Sequence, residues 1–453
     1  MKIILDHMLR LVNPHTEIAE WIKKHSTFLN PQYFQAQKLG YSTHGIPFEI
    51  KLYREDDNGL TLPRGISLEL ALLVKKTGFP FLLEDNRLLK SQIDYGSKVQ
   101  LRNYQAAAVE KLLKYKQGGI SAPCGAGKTV ILLEAIAQTQ QPALWITHTK
   151  ELAYQAIERA EQVLTIDRSD IGIIGDGKKS LGKKLTVALV QTLGKVDISK
   201  IKDNFGCVVI DEAHRMAARS FYEVINEFPA LYRFWVSATP ERSDGLTKIV
   251  TGVGGMIVHE IAQSQVPTII PKLKLVTTDF SKHEDNYSKL ITEIVQDANR
   301  NELICETILR ELEKDDYVLV LSDRLEHLQI LRTYLKAIKR NLRVALLHGK
   351  LKKKEREYIM LQVKNKEVDV LFATQLAREG LDLPHLNKLF LVCPKKASGA
   401  IQQEVGRIMR PYEGKGKAVV YDFVDVKNGM LEYQAQKRIK TYEKIGINGY
   451  EII

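Results

Sequence analysis

A glycine-rich octapeptide at residues 122–129 constrains the fold of this chain more than any other feature. It supplies the backbone amides and side chains that a phosphate-binding loop places around an anion, namely Gly125, Ala126, Gly127, Lys128 and Thr129. Such a loop needs a strand before it and a helix after it, because the helix N-terminus adds partial positive charge to the anion site. The pattern therefore predicts an α/β domain that binds a nucleotide. Lys128 is expected to contact the β and γ phosphates of ATP, and Thr129 to bind Mg²⁺.

Two adjacent acids follow an apolar run at residues 207–210. A side chain at the carboxyl end of a parallel strand faces the same crevice as the phosphate-binding loop. We expect Asp211 to hold Mg²⁺ through water, and Glu212 to orient and deprotonate the attacking water. Together the two motifs predict ATP hydrolysis.

Short apolar runs near helical stretches occur in two series along the chain, which predicts two parallel sheets covered on both faces. The first series includes residues 143–146 and 207–210, and the second begins at residues 317–321. Prolines 267 and 271 interrupt regular structure between the series, as a connector would. We therefore predict one α/β domain at residues 98–265 and another at residues 266–453.

The two ends of the chain differ from these series. Residues 1–97 combine a short amphipathic helix at residues 16–24 with an alternating segment at residues 48–53, which predicts a small α+β module. A closing helix is predicted at residues 429–445. Its basic residues, including Arg438, favour a solvated helix over the alternative of a nucleic-acid-binding arm.

Composition narrows the class of protein. The chain has 66 Lys and Arg against 54 Asp and Glu, a net charge of +12 that attracts polyanions such as nucleic acid, although a basic surface also serves solubility. Its four cysteines are widely spaced, which indicates neither a disulfide framework nor a zinc knuckle. No run approaches the roughly 20 apolar residues of a membrane span, so we expect no membrane association. A cytoplasmic location, near the nucleoid of a prokaryotic or phage-infected cell, is expected.

The sequence Asp-Glu-Ala-His at residues 211–214 resembles motif II of the superfamily 2 helicases, and residues 101–425 contain the other motifs in the family's order. The resemblance implies two tandem RecA-like domains. It implies that Gln105, with Arg102 nearby, recognises adenine. It also implies that Ser237 and Thr239 couple the nucleotide state to domain movement through His214.

The second predicted domain lacks its own phosphate-binding loop, so any contribution to hydrolysis has to come across a cleft. Residues 402–410 resemble motif VI, and Gln403, Arg407 and Arg410 are predicted to lie on one helical face. The resemblance implies that the two arginines act on the transferring phosphoryl group. Residues 373–382 resemble motif V. This resemblance implies that Thr374 faces the nucleic-acid backbone, Gly380 allows a tight turn and Asp382 contacts the ribose.

Single-stranded nucleic acid is held by hydroxyls, backbone amides and a few cations along its phosphates. Such groups occur in loops after the apolar runs, where the sequence resembles the family's motifs Ia, Ic and IV. The predicted contacts from these loops are Thr149, Lys150, Gln191, Thr192, Arg324, His348 and Gly349, together with Thr374.

Several features select a branch of the superfamily. Residues 101–105 lack the aromatic-proline spacing of DEAD-box RNA helicases, and no clustered cysteines suggest the zinc domain of RecQ-type enzymes. The chain resembles the XPB and UvsW-type motors of this superfamily, and among them the helicases of phages and mobile elements. Residues 237–240, Ser-Ala-Thr-Pro, resemble motif III, and after them the chain has Arg242-Ser243-Asp244 where XPB has Arg-Glu-Asp, so the central acid is missing.

The resemblance implies a monomeric 3′-to-5′ DNA helicase that acts on single-stranded, forked or branched DNA in replication, recombination or repair. Three alternatives stay open: a duplex translocase without strand separation, an RNA helicase, and an ATP-gated nucleic-acid clamp. Residues 1–97 are expected to bind or split a duplex, or to act as a lid that stabilises the first RecA-like domain.

Overall fold

The structure is a computed structural model that describes residues 1–238, 246–374, 383–395 and 398–453. The chain divides into two units, Met1–Ala262 and Gln263–Ile453. No described helix combines the length and the apolar character that a membrane crossing requires.

The first unit begins with an N-terminal module built on a mostly antiparallel sheet of order β5-β6-β2-β1-β7, with β3 and β4 paired separately. In chain order its elements are β1 (Lys2–Leu5), β2 (Met8–Val12), α1 (Thr16–His25), β3 (Thr27–Leu29), α2 (Pro31–Lys38), β4 (Glu49–Lys51), β5 (Arg54–Asp56), β6 (Gly59–Pro63), α3 (Ser67–Thr77) and β7 (Leu82–Asp85). Helix α1 confirms the predicted amphipathic helix: Ile18 and Ile22 lie on one face and are fully buried, while basic residues in its last turn complement the helix dipole.

The rest of the first unit is a sheet of eight described strands in the order β11-β10-β12-β9-β13-β14-β8-β15. Its strands are β8 (Gln117–Ser121), β9 (Ala143–Thr147), β10 (Ile171–Gly175), β11 (Lys178–Ser180), β12 (Leu185–Leu189), β13 (Cys207–Ile210), β14 (Tyr232–Ser237) and β15 (Ile257–Glu260). Its helices are α4 (Asn103–Tyr115), α5 (Lys128–Thr139), α6 (Lys150–Val163), α7 (Val190–Leu193), α8 (Arg219–Asn226) and α9 (Thr247–Gly254). Only the β10–β11 pair among these strands is antiparallel. The central strands are buried along their whole length, as strands covered by helices on both faces must be.

A buried arginine joins the N-terminal module to this parallel sheet. The fully buried Arg64 donates from Nη2 to the carbonyl oxygen of Ala230 at 2.6 Å and from Nη1 to that of Asp6 at 3.0 Å. Next to it, a Cβ atom on Gly65 would lie 2.1 Å from the carbonyl oxygen of Gly252, so only glycine permits this approach of two backbones. The module is therefore packed on the sheet as part of one body.

We expect Arg64→Ala to lower the free energy of unfolding of this unit by about 3 kcal/mol, because it leaves buried carbonyl groups unsatisfied and opens a cavity. Urea denaturation followed by circular dichroism measures the change. Arg54→Ala, which removes an exposed arginine from β5, is the matched control. Equal effects of the two substitutions would contradict the anchoring role of Arg64.

The second unit is a sheet of seven described strands in the order β18-β19-β17-β20-β21-β16-β22, and every pair is parallel. Its strands are β16 (Lys272–Thr278), β17 (Val318–Leu321), β18 (Val344–Leu347), β19 (Val370–Ala373), β20 (Lys388–Leu391), β21 (Val419–Asp425) and β22 (Glu451–Ile452). Its helices are α10 (Tyr287–Gln296), α11 (Ala298–Glu311), α12 (Leu325–Ile338), α13 (Lys353–Lys364), α14 (Ser398–Ile408) and α15 (Gly429–Lys444). The prediction of an α/β chain with two parallel-sheet domains and a small N-terminal module is confirmed.

The predicted closing helix is present as α15, but the prediction that Arg438 is solvated is wrong. Arg438 is 4% exposed and forms a two-point ion pair with Asp422 on β21, with Nε to Oδ2 at 2.8 Å and Nη2 to Oδ1 at 2.9 Å. The Tyr442 hydroxyl donates to the same carboxylate at 2.8 Å. The bidentate pair compensates for the burial of the guanidinium and holds α15 on the sheet.

Candidate functional site

The predicted nucleotide-binding residues of the first unit follow neighbouring strands at one edge of the sheet. Strand β8 ends at Ser121, which pairs with Ser237 at the end of β14. Strand β14 in turn pairs with β13, whose last residue precedes Asp211. The phosphate-binding loop, the two acids and Ser237 therefore meet where parallel strands end, the usual position of a ligand crevice in open α/β sheets.

The loop reaches helix α5 through Gly127, whose φ of +79° is in the left-handed region. Gln105, buried in the first turn of α4, donates from Nε2 to the carbonyl oxygen of Ala126 at 2.9 Å. A Cβ atom at position 127 would lie 2.5 Å from the same Nε2 atom, so the glycine makes room for this contact. Gln105 thus supports the loop backbone, and its Oε1 accepts the N–H of Arg102 at 3.0 Å. The Arg102 guanidinium donates to the Tyr104 hydroxyl at 3.0 Å.

Polar contacts link the loop lysine to the end of β14. Lys128 Nζ lies 3.9 Å from Glu212 Oε1, and Glu212 Oε2 lies 3.3 Å from His214 Nδ1. His214 Nδ1 is in turn 3.4 Å from the Ser237 hydroxyl oxygen. Glu212 has a φ of +52°, an uncommon conformation for a residue with a side chain. The structure therefore brings together the predicted phosphate-binding, base and coupling side chains Lys128, Glu212, His214 and Ser237.

The pKa values of the two adjacent acids are shifted in opposite directions. Burial, together with the charge of Glu212, raises the pKa of Asp211. Burial also opposes ionisation of Glu212, but the charge of Lys128 and the hydrogen bond with His214 outweigh it and lower the pKa of Glu212. Glu212 is therefore a carboxylate at neutral pH, whereas ionised Asp211 needs a cation beside it.

Mg²⁺ suits this need. It prefers oxygen ligands, binds through one or two protein groups, and takes its remaining ligands from phosphates and water. The carboxylate of Asp211 and the half-buried hydroxyl of Thr129 supply such oxygens beside the phosphate-binding loop. Among the described residues no cluster of three His, Cys, Asp or Glu side chains forms a metal cage, and a nucleotide-bound Mg²⁺ does not require one.

Three of the predicted site residues, Thr239, Gly380 and Asp382, lie outside the described residues. The predicted contacts to nucleic acid all lie within the described residues.

In the first unit these contacts follow the paired strands β9 and β12, whose last residues, Thr147 and Leu189, are in register. The hydroxyl of Thr149 accepts the N–H of Leu152 at 3.3 Å and caps α6. Gln191 donates from Nε2 to the carbonyl oxygen of His148 at 3.2 Å and so joins the two loops. Thr192 follows it on α7 and is half-buried.

Lys150 forms an ion pair with Asp176, whose other carboxylate oxygen accepts the hydroxyl of Tyr154 at 2.9 Å. The sequence gives no indication that Asp176 is the partner of Lys150. No local pattern marks it, because it lies 26 residues further along the chain in the turn between β10 and β11.

In the second unit the predicted contacts follow the adjacent strands β18, β19 and β17. His348 and Gly349 come directly after β18, and Thr374 comes after β19. The N–H of Thr374 donates to the carbonyl oxygen of Leu347 at 3.1 Å. Arg324 comes after β17, at the start of α12. These residues therefore share the carboxyl edge of the second sheet.

A buried hydrogen-bond network fixes the loop that contains Arg324. The Ser322 hydroxyl oxygen accepts the N–H of Arg324 at 3.2 Å and lies 3.2 Å from His327 Nδ1. His327 is fully buried, and its Nε2 lies 3.0 Å from Asn301 Oδ1. Burial, with the nearby charge of Arg300, lowers the pKa of His327 to about 3. A neutral imidazole thus occupies the network.

This network predicts an acid-sensitive second unit. His327 binds a proton near pH 6.5 when unfolded but only near pH 3 when folded, so stability is present above pH 6.5 and is lost as the pH falls. We expect a loss of about 3 kcal/mol between pH 7 and pH 4.5. Unfolding by urea at both pH values should show a smaller loss for His327→Gln than for the wild type. His283→Gln, at an exposed histidine, is the control; the same pH dependence in all three proteins would contradict the prediction.

Helix α14 contains Gln403 and Arg407, but the prediction that Arg410 shares its face is wrong. The helix ends at Ile408, and Arg410 lies two residues beyond its end. Pro411 follows, and helical backbone is sterically disfavoured for a residue before proline. The carbonyl oxygen of Arg410 accepts instead from Lys415 Nζ at 3.1 Å.

A buried ion pair holds α14 in place. Lys395, after β20, donates from Nζ to Glu404 Oε1 at 2.6 Å, and both side chains are almost fully buried. Glu404 lies between Gln403 and Arg407 in the helix, so the pair fixes the segment that presents them.

Comparisons with known proteins agree with these features. Residues 98–242 match the model of the type III restriction enzyme res subunit, and residues 299–412 match the model of the helicase conserved C-terminal domain. The two matches together span more than half of the chain.

Individual relatives match over most of the chain. L396 of Acanthamoeba polyphaga mimivirus, whose name calls it an ATP-dependent RNA helicase, is 26% identical over 90% of this chain and 84% of its own length. The DNA 3′-5′ translocase XPB2 of Sulfurisphaera tokodaii is 25% identical over 75% of this chain and 84% of its own. Among solved structures, S. cerevisiae Dbp5 bound to RNA and ADP BeF3 has a TM-score of 0.58 at 17% identity, covering 79% of this chain and 90% of Dbp5, which shows a shared fold.

The sequence motifs, the two matched domain models and the helicase relatives agree on one assignment. The chain belongs to the superfamily 2 helicases, is of the XPB-like type, and is an enzyme that hydrolyses ATP.

Proposed function

We propose that this helicase acts on DNA, moves 3′ to 5′, and unwinds or branch-migrates forked and branched DNA in replication, recombination or repair. The observation that supports DNA is the match to XPB2, a DNA 3′-5′ translocase, over 75% of this chain. The restriction-enzyme model that matches residues 98–242 points in the same direction.

ATP binding is assigned to the first unit. Lys128 holds the β and γ phosphates, and the backbone amides of Gly125, Ala126 and Gly127 surround them. Thr129 and Asp211 are the residues that would hold Mg²⁺, which neutralises charge on the phosphates when bound. Gln105, which contacts the loop backbone, recognises adenine together with Arg102.

Glu212 orients the attacking water and accepts its proton during hydrolysis. Its contact with His214, and that of His214 with Ser237, supports a route by which loss of the γ-phosphate alters the end of β14. Arg407 and Arg410 supply permanent positive charge to the transferring phosphoryl group, a task for which the planar guanidinium is suited.

Nucleic acid is held by its phosphates at the carboxyl edges of the two sheets. The contacts come from hydroxyls and backbone amides near Thr149, Thr192 and Thr374, with charge from Lys150 and Arg324. Because such contacts reach the backbone and not the base edges, binding is expected to be independent of sequence and to weaken as salt rises.

RNA unwinding is a second candidate function. The match to L396, named as an RNA helicase, covers 90% of this chain, more than the match to XPB2 does.

Steady-state ATPase and strand-displacement assays with forked DNA, blunt duplex DNA and forked RNA would test the proposal. We expect forked DNA to stimulate ATP hydrolysis, and displacement to require a 3′ single-stranded tail. Lys128→Ala should abolish both activities. Unwinding of RNA alone would move the function to RNA. Stimulation of ATP hydrolysis by duplex DNA without strand displacement would indicate a duplex translocase. ATP hydrolysis that no nucleic acid stimulates would contradict a motor function.

A further inference from the structure

An exposed segment of the N-terminal module has no role in the site described above. It comprises residues 30–48, between β3 and β4, and is called the aromatic lobe. Within the described stretch 31–48 no residue is buried. Large rings are nevertheless open to solvent here: Phe34 is 38% exposed, Phe48 50% and Tyr41 69%. A contiguous exposed apolar patch on a globular protein generally marks a binding surface.

Three of the rings form one cluster. The ring centroids of Tyr33 and Phe48 are 5.3 Å apart, those of Phe34 and Phe48 5.5 Å, and those of Tyr33 and Phe34 5.7 Å. Edge contacts of this kind are favourable and hold the rings in fixed orientations. The cluster is therefore an ordered surface and not a set of independent side chains.

The lobe is firmly attached at its base. Asn30 is buried, donates from Nδ2 to the carbonyl oxygen of Pro47 at 2.9 Å, and donates its backbone N–H to that of Phe48 at 2.9 Å. Below it, Phe28 on β3 and Ile50 on β4 pack against the hydrophobic core of the parallel sheet. The lobe is thus mounted directly on the body that contains the nucleotide site.

The chemistry of the lobe suits nucleic acid. Four of its 19 residues are aromatic, a larger fraction than the 8% of the whole chain. The lobe contains Lys38 but no Asp or Glu. Its helix also presents amide side chains that can donate to phosphates or bases, namely Gln32, Gln35 and Gln37. Aromatic faces in an acid-free, polar setting stack on bases of any sequence, because every base has a π face.

We propose that the aromatic lobe is a stacking platform for unpaired bases of single-stranded nucleic acid. The inference rests on the proposed function in one respect, that the chain separates strands and so meets unpaired bases. Stacking on the lobe fixes a displaced base relative to the motor and adds affinity for single strands. Paired bases offer no free face, so duplex binding does not depend on the lobe.

The test measures binding of a fluorescent single-stranded oligodeoxynucleotide, and of the same strand fully paired, by anisotropy. Loss of one stacked base costs about 10-fold in affinity, and we expect at least this for the double variant Phe34→Ala, Phe48→Ala. Tyr41→Ala, whose ring is largely exposed and can be removed without disturbing the fold, should weaken single-strand binding in the same direction. Phe34→Trp should retain affinity. Leu72→Ala, at a 58% exposed leucine on α3, is the matched control.

A second readout locates the contact. Photo-cross-linking with 5-iodouracil in the single strand should attach it to a peptide from residues 30–48. Unchanged single-strand affinity in the alanine variants, or equal losses for single and paired strands, would overturn the inference and leave the lobe as a docking surface for protein. Wild-type protein that binds single strands without displacing them contradicts the proposed helicase function but not the platform.

Discussion

Replacing Glu212 by Gln is expected to lower the turnover of ATP by about 10²- to 10⁴-fold while leaving ATP binding intact. The carboxylate is ionised at neutral pH because Lys128 and His214 lower its pKa, so it can accept the proton of the attacking water. The amide has the same shape but cannot accept that proton. Because ATP hydrolysis drives strand displacement, the substitution should reduce displacement in proportion to ATP turnover.

Steady-state ATPase rates with saturating nucleic acid measure the effect, and equilibrium binding of a fluorescent ATP analogue separates it from loss of binding. Glu158→Gln, the same chemical change at an exposed position of α6, should have no effect. Lys128→Ala should lose binding instead. Near-normal hydrolysis by Glu212→Gln would assign the base to another residue.

Replacing Arg407 by Ala is expected to lower ATP turnover by roughly 10³- to 10⁵-fold, the range associated with an arginine that stabilises phosphoryl transfer. The residue lies in α14, which the buried Lys395–Glu404 pair holds on the second sheet. Arg407→Lys should recover little, because an ammonium group cannot reproduce the planar fork of the guanidinium.

Single-turnover hydrolysis with pre-bound ATP would show whether the defect lies in chemistry. Arg332→Ala, at an exposed arginine on α12, is the control for loss of positive charge in the same unit. If Arg407→Ala instead weakened nucleic-acid binding and left single-turnover hydrolysis unchanged, Arg407 would belong to the nucleic-acid surface.

The sequence alone determined the elements that surround the phosphate-binding loop. Local patterns suffice here, because a strand, a glycine-rich turn and a helix follow one another within residues 117–139, and Asp211 follows directly on a four-residue buried strand. The predicted run at residues 317–321 likewise became β17, Val318–Leu321. Apolar periodicity and turn chemistry act over such short distances.

Only the tertiary structure decided which side chains meet. Arg438 was expected in solvent but pairs with Asp422, and Lys150 pairs with Asp176 across 26 residues. Gln105 supports a loop 21 residues away, and Arg64 anchors the N-terminal module through the backbone of Ala230, 166 residues away. The order of the strands in the sheets, which local sequence patterns do not predict, brings these residues into contact.

The pKa shifts in the site could not be predicted from the sequence either. Asp211 and Glu212 are chemically similar neighbours, yet the pKa of the first is raised and that of the second lowered. Burial and the distances to Lys128 and His214 produce the difference. The sequence therefore determined which local elements form and which chemistry they can offer. Folding determined burial, pairing and charge, because these depend on groups brought together from distant parts of the chain.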